Sequence, residues 1–226
     1  MKTLSRFTLS ALLLSTAGSA RATLATWQSA VTGPGTVPAT TLFSTVNGAA
    51  PIIFHVGDLT GDRAFEFIVN SGVGGASQAL IGTQNPATGQ QGLKFEQWND
   101  TGVYGMTDFG VADHYSTTPY DLDRDVHIVF TSDGASTDMY IDGTLRHNFA
   151  GVALRMTGNQ GLAAATNASE TAFFDLMGGD VKGFASYDAA LSGAEVLAHY
   201  NAFVIPEPSA AVFALMGSLA LARRRR

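Results

Sequence analysis

Aromatic and polar side chains crowd one stretch of the sequence, between residues 98 and 115. Aromatic rings stack on the CH faces of sugars, and carboxylates and imidazoles form hydrogen bonds with sugar hydroxyls. The stretch therefore predicts a glycan site in which Trp98 or Tyr104 is the stacking surface and Asp100, Asp113 or His114 binds the hydroxyls. The same composition is typical of a strand pair whose aromatic residues fill a core, and this alternative stays open.

Three carboxylates alternate along a second segment, at Asp121, Asp123 and Asp125. Calcium prefers several oxygen ligands, so the segment is a candidate calcium site. It does not continue as an EF-hand loop, because Val126 and Ser132 stand where that loop needs glycine and glutamate. The alternative is a solvated acidic loop in front of a strand.

The sequence lacks the usual signatures of catalysis. Glycoside hydrolases on a jelly roll carry acidic residues two and four positions apart on one strand. None of the five glutamates has an acidic residue two positions away: Glu66, Glu96, Glu170, Glu195 and Glu207. Neither a complete Gly-x-Ser-x-Gly elbow nor a zinc spacing of histidines is present. We therefore expect a protein that is not an enzyme, and the alternative is a carbohydrate-active enzyme of the glycoside hydrolase type.

Net charge and composition limit the classes of partner and chemistry that the protein can have. The chain has 226 residues and a net charge of −6. Between Thr23 and Ala222 six basic residues face 19 acidic ones, a net charge of −13, which disfavours nucleic acid. The absence of cysteine excludes disulfides and thiolate chemistry. Hydrophobic residues make up 46% of the chain, enough to bury a core without such crosslinks.

The middle of the chain reads as strands and turns. Runs rich in β-branched and aromatic residues cover 51–56, 64–69 and 126–131, and turn dipeptides such as Asp142-Gly143 separate them. Residues 126–149 predict a β-meander closed by that Asp-Gly turn. Near the end, Ser192 and Glu195 form a capping box that predicts a short helix. Val196, Leu197 and Tyr200 give it an apolar stripe. Many short strands of this kind predict an all-β antiparallel sandwich.

The first 22 residues are typical of a signal peptide. Lys2 and Arg6 precede an apolar run from Phe7 to Leu14, and small residues follow up to an A-x-A site formed by Ala20 and Ala22. Cleavage after Ala22 by signal peptidase would make Thr23 the new start. The apolar run is far shorter than the ~20 residues needed to span a bilayer.

The last residues combine three features in order. Pro206, Glu207 and Pro208 precede an apolar stretch from Ala210 to Ala222, and four arginines close the chain: Arg223, Arg224, Arg225 and Arg226. Prolines do not continue a helix, and arginines are retained on the cytoplasmic side of a membrane. The segment predicts a C-terminal membrane helix that serves as a transient anchor, and a plain tail anchor is the alternative.

This tail resembles the PEP-CTERM sorting signal, the mark of exosortase substrates in Gram-negative bacteria. The resemblance covers residues 206–226. It implies export across the inner membrane, recognition by an exosortase and a mature protein at the cell surface or in the extracellular matrix.

Two internal segments resemble the laminin G-like, concanavalin A-like jelly-roll family. They are His127 to Gly143, which contains His-Ile-Val-Phe-Thr-Ser-Asp-Gly and Met-Tyr-Ile-Asp-Gly, and Phe184 to Val196. The family implies two packed antiparallel sheets, and some members hold calcium at a loop end, for which Asp175 is a further candidate ligand. It implies no single activity, because the fold serves lectins, adhesion modules and hydrolases alike.

Together these observations predict four segments: a signal peptide (1–22), an N-terminal segment of the sandwich (23–50), the jelly-roll domain (51–203) and the sorting tail (204–226). The expected function is a non-catalytic module of the cell surface or matrix that binds an extracellular polysaccharide or acts as a structural or adhesion unit. No cofactor other than the candidate calcium is expected.

Overall fold

The computed structural model of the chain describes residues 24–99 and 101–204. In these residues two α-helices flank a series of short strands. Helix α1 spans Leu24–Val31 and helix α2 spans Gly193–Val204. The strands β1 to β15 are, in chain order, Thr40–Leu42, Val46–Asn47, Ile52–His55, Arg63–Ser71, Gln78–Thr83, Gln91–Glu96, Val103–Asp108, Ala112–Pro119, Asp125–Ser132, Thr137–Ile141, Thr144–Phe149, Asn159–Leu162, Ala165–Thr166, Phe173–Phe174 and Gly179–Tyr187.

The described strands form two sheets. The seven-stranded sheet has the order β1-β15-β4-β9-β10-β11, with β2 also paired to β15. The eight-stranded sheet has the order β14-β13-β5-β6-β7-β8, and β12 joins β3 to β5. The pairings are antiparallel except the one between β13 and β5. The predicted antiparallel sandwich is therefore confirmed, and β1 and β2 show that residues before 51 contribute to it.

The core lies between the two sheets because side chains alternate along each strand. On β4, Phe65 and Phe67 face this core, whereas Glu66 faces the opposite side. On the eight-stranded sheet, the core residues include Leu93 and Phe95 of β6 and Tyr104 and Met106 of β7. The residues between them point to the outer face of that sheet.

The two helices pack on the outer face of the seven-stranded sheet. Trp27, Val31 and Val196 are buried there against apolar residues of β4, β9 and β15. The start of α1 meets the end of α2, where the Thr26 hydroxyl donates to the carbonyl oxygen of Ala202 at 2.5 Å. The resulting order of layers is helices, seven-stranded sheet, core and eight-stranded sheet.

Local sequence signals account for the ends of these elements. The backbone at Asp142 and Gly143 has φ of 51° and 72°, as the predicted tight turn between β10 and β11 requires. Ser192 and Glu195 bond each other's backbone amides, so the predicted capping box is present at α2. The predicted stripe of α2 is wrong in one position, because Leu197 is 46% exposed while Val196 is buried.

No helix within residues 24–99 and 101–204 has both the length and the hydropathy needed to cross a membrane. The predicted signal peptide with Ala20 and Ala22 lies outside the described residues, as does the tail from Pro206 to Arg226. Both stay predictions.

Candidate functional site

An open cleft of about 550 Å³ lies on the outer face of the eight-stranded sheet. Lys94 points to this face because it stands between the core residues Leu93 and Phe95. Thr107 points there because it follows the core residue Met106. The cleft brings together charged, aromatic and hydroxyl groups, chief among them Lys94, Trp98, Thr107, Phe109, Asp113 and Phe174.

The floor of the cleft is a small apolar cluster. Phe109 and Phe174 pack edge to face with ring centroids 5.4 Å apart, beside Ala79 and Ala165. The Phe109 ring rests directly on β6 at Gly92, where a Cβ would stand 2.9 Å from Cζ of the ring. Gly92 is therefore required for the ring to approach the strand this closely.

A buried cation stands beside this floor. The Lys94 ammonium forms an ion pair with Asp175 and donates to Ser77 Oγ at 3.0 Å. It also lies 5.3 Å from the centre of the Phe109 ring, a cation–π contact. Burial lowers the pKa of Lys94, and the charge of Asp175 opposes this shift. The pair fixes the Lys94 side chain against the sheet.

A second side of the lining includes Trp98, which follows β6 and is 50% exposed. Its backbone amide donates to Oε1 of the buried Gln97 at 2.8 Å. Gln97 is itself held by the carbonyl oxygens of Met106 and His114, to which its Nε2 donates at 2.6 and 3.1 Å. The backbone at the exposed Trp98 is thus held by a buried and well-bonded glutamine.

Asp113 joins this side of the cleft through Thr107. The two residues are paired across β7 and β8. The Thr107 hydroxyl lies 2.8 Å from Asp113 Oδ1 and 3.1 Å from Gln97 Oε1, and its one proton can bond either oxygen. Gln97 therefore connects the support of Trp98 to the exposed carboxylate of Asp113.

The structure places Trp98 and Asp113 in one cleft and corrects the prediction for Tyr104. Tyr104 is fully buried, its ring packs edge to face on Phe95, and its hydroxyl accepts from the amide of Asp121 at 3.3 Å. Burial raises the pKa of its phenol. No face of this ring is open to a sugar, so Tyr104 is a core residue.

His114 is also separated from the cleft. It pairs with the core-facing Met106 and so lies on the other face of β8 from Asp113. Its Nε2 is 3.5 Å from Asp108 Oδ2. His114 is not among the residues that line the cleft, and its role in binding a ligand stays a prediction. Asp100 lies outside the described residues, and its role stays a prediction.

The carboxylates of the candidate calcium site turn to different partners. Asp121 pairs with Arg124 at 2.7 Å, and Asp125 pairs with Lys182 at 2.6 Å. Among the described residues, no group of three or more acidic or histidine side chains is arranged to hold a metal ion. Asp121, Asp123 and Asp125 therefore do not act as three joint ligands in this structure, whereas a calcium site built from one of them or Asp175 with backbone carbonyls stays a prediction.

Several cleft residues were not singled out from sequence. Lys94 and Asp175 are 81 positions apart, and Phe174 reaches the cleft from the short strand β14. A local signal existed for the floor, because a glycine inside a strand, such as Gly92 in β6, often marks a close approach of another group. The sequence does not specify which ring approaches.

A second polar cluster lies on the other side of the sandwich, between the seven-stranded sheet and the helices. Glu66 of β4 is fully buried there and accepts four hydrogen bonds. Trp27 and His127 donate to Oε1 at 2.6 and 2.7 Å, and Tyr187 and His199 donate to Oε2 at 2.7 and 3.0 Å. This Glu66 cluster ties α1, α2 and three strands together.

Solved structures share this fold at low sequence identity. A heptameric SAP-like pentraxin from Limulus polyphemus matches with a TM-score of 0.54 and 11% identity, over 70% of this chain and 79% of the other. The CBM40 domain of a Ruminococcus gnavus IT-sialidase, bound to α2,3-sialyllactose, matches with a TM-score of 0.50 and 16% identity, over 71% and 98%.

A third similar structure is domain 4 of AbnA, a GH43 extracellular arabinanase from Geobacillus stearothermophilus, in complex with arabinotriose. Its TM-score is 0.51 and its identity 15%, over 69% of this chain and 75% of the other. No family profile and no curated protein sequence matches the chain. These likenesses show the fold alone, an antiparallel β-sandwich.

Proposed function

We propose that this protein is an exported glycan-binding module whose cleft contacts sugar without cleaving it. The observation that carries the proposal is the half-exposed Trp98, which the buried Gln97 holds in the same cleft as the exposed Asp113. Rigid aromatic surfaces beside hydrogen-bonding groups are the usual elements of a small-ligand site.

The chemistry of each residue supports this function. The indole of Trp98 offers a flat apolar face to the CH groups of a sugar ring. Asp113 has one oxygen bonded by Thr107, while no described residue bonds Oδ2, which can accept from a sugar hydroxyl. The apolar floor of Phe109 and Phe174 provides further contact surface.

The similar structures support glycan binding at the level of the fold. Two of them were solved with a saccharide bound, namely sialyllactose and arabinotriose. At 15–16% identity, this likeness carries the sandwich and not the ligand or its position.

The second candidate function is glycoside hydrolysis, since Asp108, Asp113 and Asp175 all line the cleft. Hydrolysis needs two carboxyl groups about 5–10 Å apart with distinct acid and base roles. Asp175 is paired with Lys94, and Asp108 is paired with Arg155 at 2.8 Å. Such ion pairs are typical of carboxylates that shape a site, which favours binding over cleavage.

Export and sorting complete the proposal. The signal-peptide pattern at the start and the PEP-CTERM-like tail at the end assign the module to the cell surface or extracellular matrix, after processing by signal peptidase and an exosortase. Both segments flank the described fold closely, because α1 begins at Leu24 and α2 ends at Val204.

The test is a glycan array probed with the purified full chain, followed by titration of the best ligand with Trp98→Ala. We expect the replacement to weaken binding about fivefold or more, because a stacked aromatic ring contributes about 1 kcal/mol. Leu145→Ala is the matched control, since Leu145 is 49% exposed on β11 of the other sheet and lies outside the cleft. It should leave affinity unchanged.

Three results contradict parts of the proposal. Equal affinity of the Trp98→Ala variant and the wild type removes the stacking surface. Release of reducing sugar that disappears on replacing Asp113 transfers the function to hydrolysis. Absence of binding to every glycan on the array leaves a structural module.

A further inference from the structure

The charges of the cleft are unbalanced. Four charged side chains line it, and three of them are acidic: Lys94, Asp108, Asp113 and Asp175. Arg155 reaches Asp108 from outside the cleft and is half exposed. Asp113 forms no ion pair with any described residue, and it is exposed and lines the cleft together with Trp98. A ligand in the cleft therefore meets negative charge first.

The single lysine of the cleft is not available to an acidic ligand. Its side chain is only 2% exposed, and its ammonium is committed to Asp175 and Ser77. To bind a carboxylate or sulfate, Lys94 would have to break that ion pair and leave Asp175 without its cation. Breaking a buried pair is costly, because the remaining charge keeps its desolvation penalty.

The charges outside the cleft add to its negative electrostatic potential. Residues 24–204 hold six basic side chains, and two of them are paired with acidic residues away from the cleft: Arg124 and Lys182. The net negative charge of the domain repels polyanions at a distance of several ångströms in low salt and attracts cations.

From these three observations we infer that the cleft discriminates among glycans by charge. It favours glycans that carry a free amine, accepts uncharged ones and rejects those with carboxylate or sulfate groups. The inference rests on the glycan-binding function proposed above and names its ligand class. The sialyllactose found in the similar CBM40 domain is an acidic sugar, so ligand choice differs here on the same fold.

The test compares sugars that differ only in charge. The purified full chain is titrated with a glucosamine trimer and its N-acetylated counterpart, and with lactose and 3′-sialyllactose. We expect the amine-bearing trimer to bind more tightly than the acetylated one, and sialyllactose to bind more weakly than lactose. Both differences should shrink between 20 and 500 mM salt, because salt screens exposed charges.

Replacing Asp113 tests whether its carboxylate causes the preference for amine-bearing glycans. Asp113→Asn keeps an oxygen for the Thr107 hydroxyl and removes the charge, so the preference for the amine should fall about two- to fivefold, as expected for one exposed charge pair. Asp138→Asn is the control, because Asp138 lies on β10 beside the core-facing Met139 and points to the helix side of the sandwich. It should not change the preference.

The outcomes separate the two proposals. Binding without a charge preference, or with preference for sialyllactose, overturns the inference and leaves the glycan-binding function intact. Failure of all four sugars and of an array covering the three charge classes overturns the function itself. If Asp113→Asn does not fold, the salt dependence of the wild type decides the inference.

Discussion

Glu66 is fully buried, and its carboxylate accepts hydrogen bonds from four different residues. A carboxylate has about four lone-pair sites, and four donors occupy them. The buried Nδ1 of His127 has no partner, which fits a ring whose proton is on Nε2 and points to Glu66. Burial alone raises the pKa of Glu66, but the hydrogen bonds from His127 and His199 outweigh it and hold this pKa below its ordinary range.

Glu66→Gln is expected to lower the free energy of unfolding by about 3 kcal/mol. The amide replaces one acceptor oxygen with a donor, which then meets the donors of two neighbours, and removing one member of a buried charged network costs about 3–5 kcal/mol. Urea unfolding measures the change. Glu170→Gln is the control, because Glu170 lies on a loop and its carboxylate accepts a hydrogen bond from Asn159 Nδ2 at 3.0 Å. Equal midpoints for Glu66→Gln and wild type would show that the cluster adds no stability.

The difference in free energy of unfolding between wild type and Glu66→Gln should depend on pH. Because the folded pKa of Glu66 is depressed, its contribution is present above the unfolded value of about 4.3 and is lost as the pH falls below it. Burial lowers the pKa of His199, but Glu66 outweighs burial and raises it. The stability that protonated His199 contributes is fully present below about pH 6.5, its unfolded pKa. It is lost as the pH rises through its folded-state pKa. The difference between wild type and Glu66→Gln should peak between these limits.

At the level of elements, the turn between β10 and β11 positions helix α2. Gly143 has φ of 72°, and a Cβ there would stand 2.9 Å from Tyr200 Cδ1 and 3.1 Å from Leu197 Cδ1. The bare backbone of the turn thus lies directly under two side chains of α2. His127 of β9 stacks on Tyr200 at 6.0 Å, next to the Glu66 cluster. The turn is therefore part of the helix-docking surface.

Gly143→Ala should lower the free energy of unfolding by more than the cost of a left-handed alanine backbone alone. The left-handed conformation costs an alanine about 1 kcal/mol, and contact with Tyr200 and Leu197 should add about 1–3 kcal/mol. Gly151→Ala is the matched control, because Gly151 has φ of 74° and no atom within 4 Å of the added Cβ. The difference between the two variants in thermal or urea unfolding isolates the helix contact. Equal losses would contradict it.

Local sequence motifs predicted individual turns and helix ends. They did not predict contacts between residues that are distant in sequence. The β9–β11 meander followed from Asp142-Gly143, and the start of α2 followed from Ser192 and Glu195. The pKa of Glu195 falls to about 2, because Ser192 and Thr36 both bond its carboxylate. The Thr36 contact spans 159 positions and has no local signal. Helix α1 was missed because its partners, among them Glu66, are distant in sequence.

The candidate site was predicted in part for the same reason. The composition of residues 98–115 placed Trp98 and Asp113 in one stretch, but composition does not say which face of a strand a residue occupies. Tyr104 and His114 turned to the other side once the register of β7 and β8 was set. The pairing of Lys94 with Asp175 depends on the fold of the whole sheet.

At the scale of the whole molecule, the two helices and the cleft occupy opposite outer faces. The helices cover the seven-stranded sheet, and the cleft opens on the eight-stranded sheet across the core. The first and last described residues both lie on the helix side, within two residues of the bond between Thr26 and Ala202. A protein held by its end would therefore direct the cleft away from the point of attachment.

The predicted signal peptide implies a mature protein that begins at Thr23. Cleavage after Ala22 removes the predicted signal peptide and stops just before α1 begins at Leu24, so Trp27 and its bond to Glu66 remain. N-terminal sequencing of the product recovered from outside the cytoplasm measures this. Ala22→Asp is the control for the site, because a charged residue in place of the small one should block processing. A product that retains residues 1–22 contradicts the prediction.

Because Thr26 and Ala202 are hydrogen-bonded, the two ends of the domain lie close together, which suits it to insertion into another protein. A fold whose first and last elements meet at one point can be inserted into a surface loop of another protein without pulling that loop apart, because entry and exit need only a narrow gap. The host would gain the cleft as a complete unit, with its supporting sheet and both helices, at the cost of two short linkers.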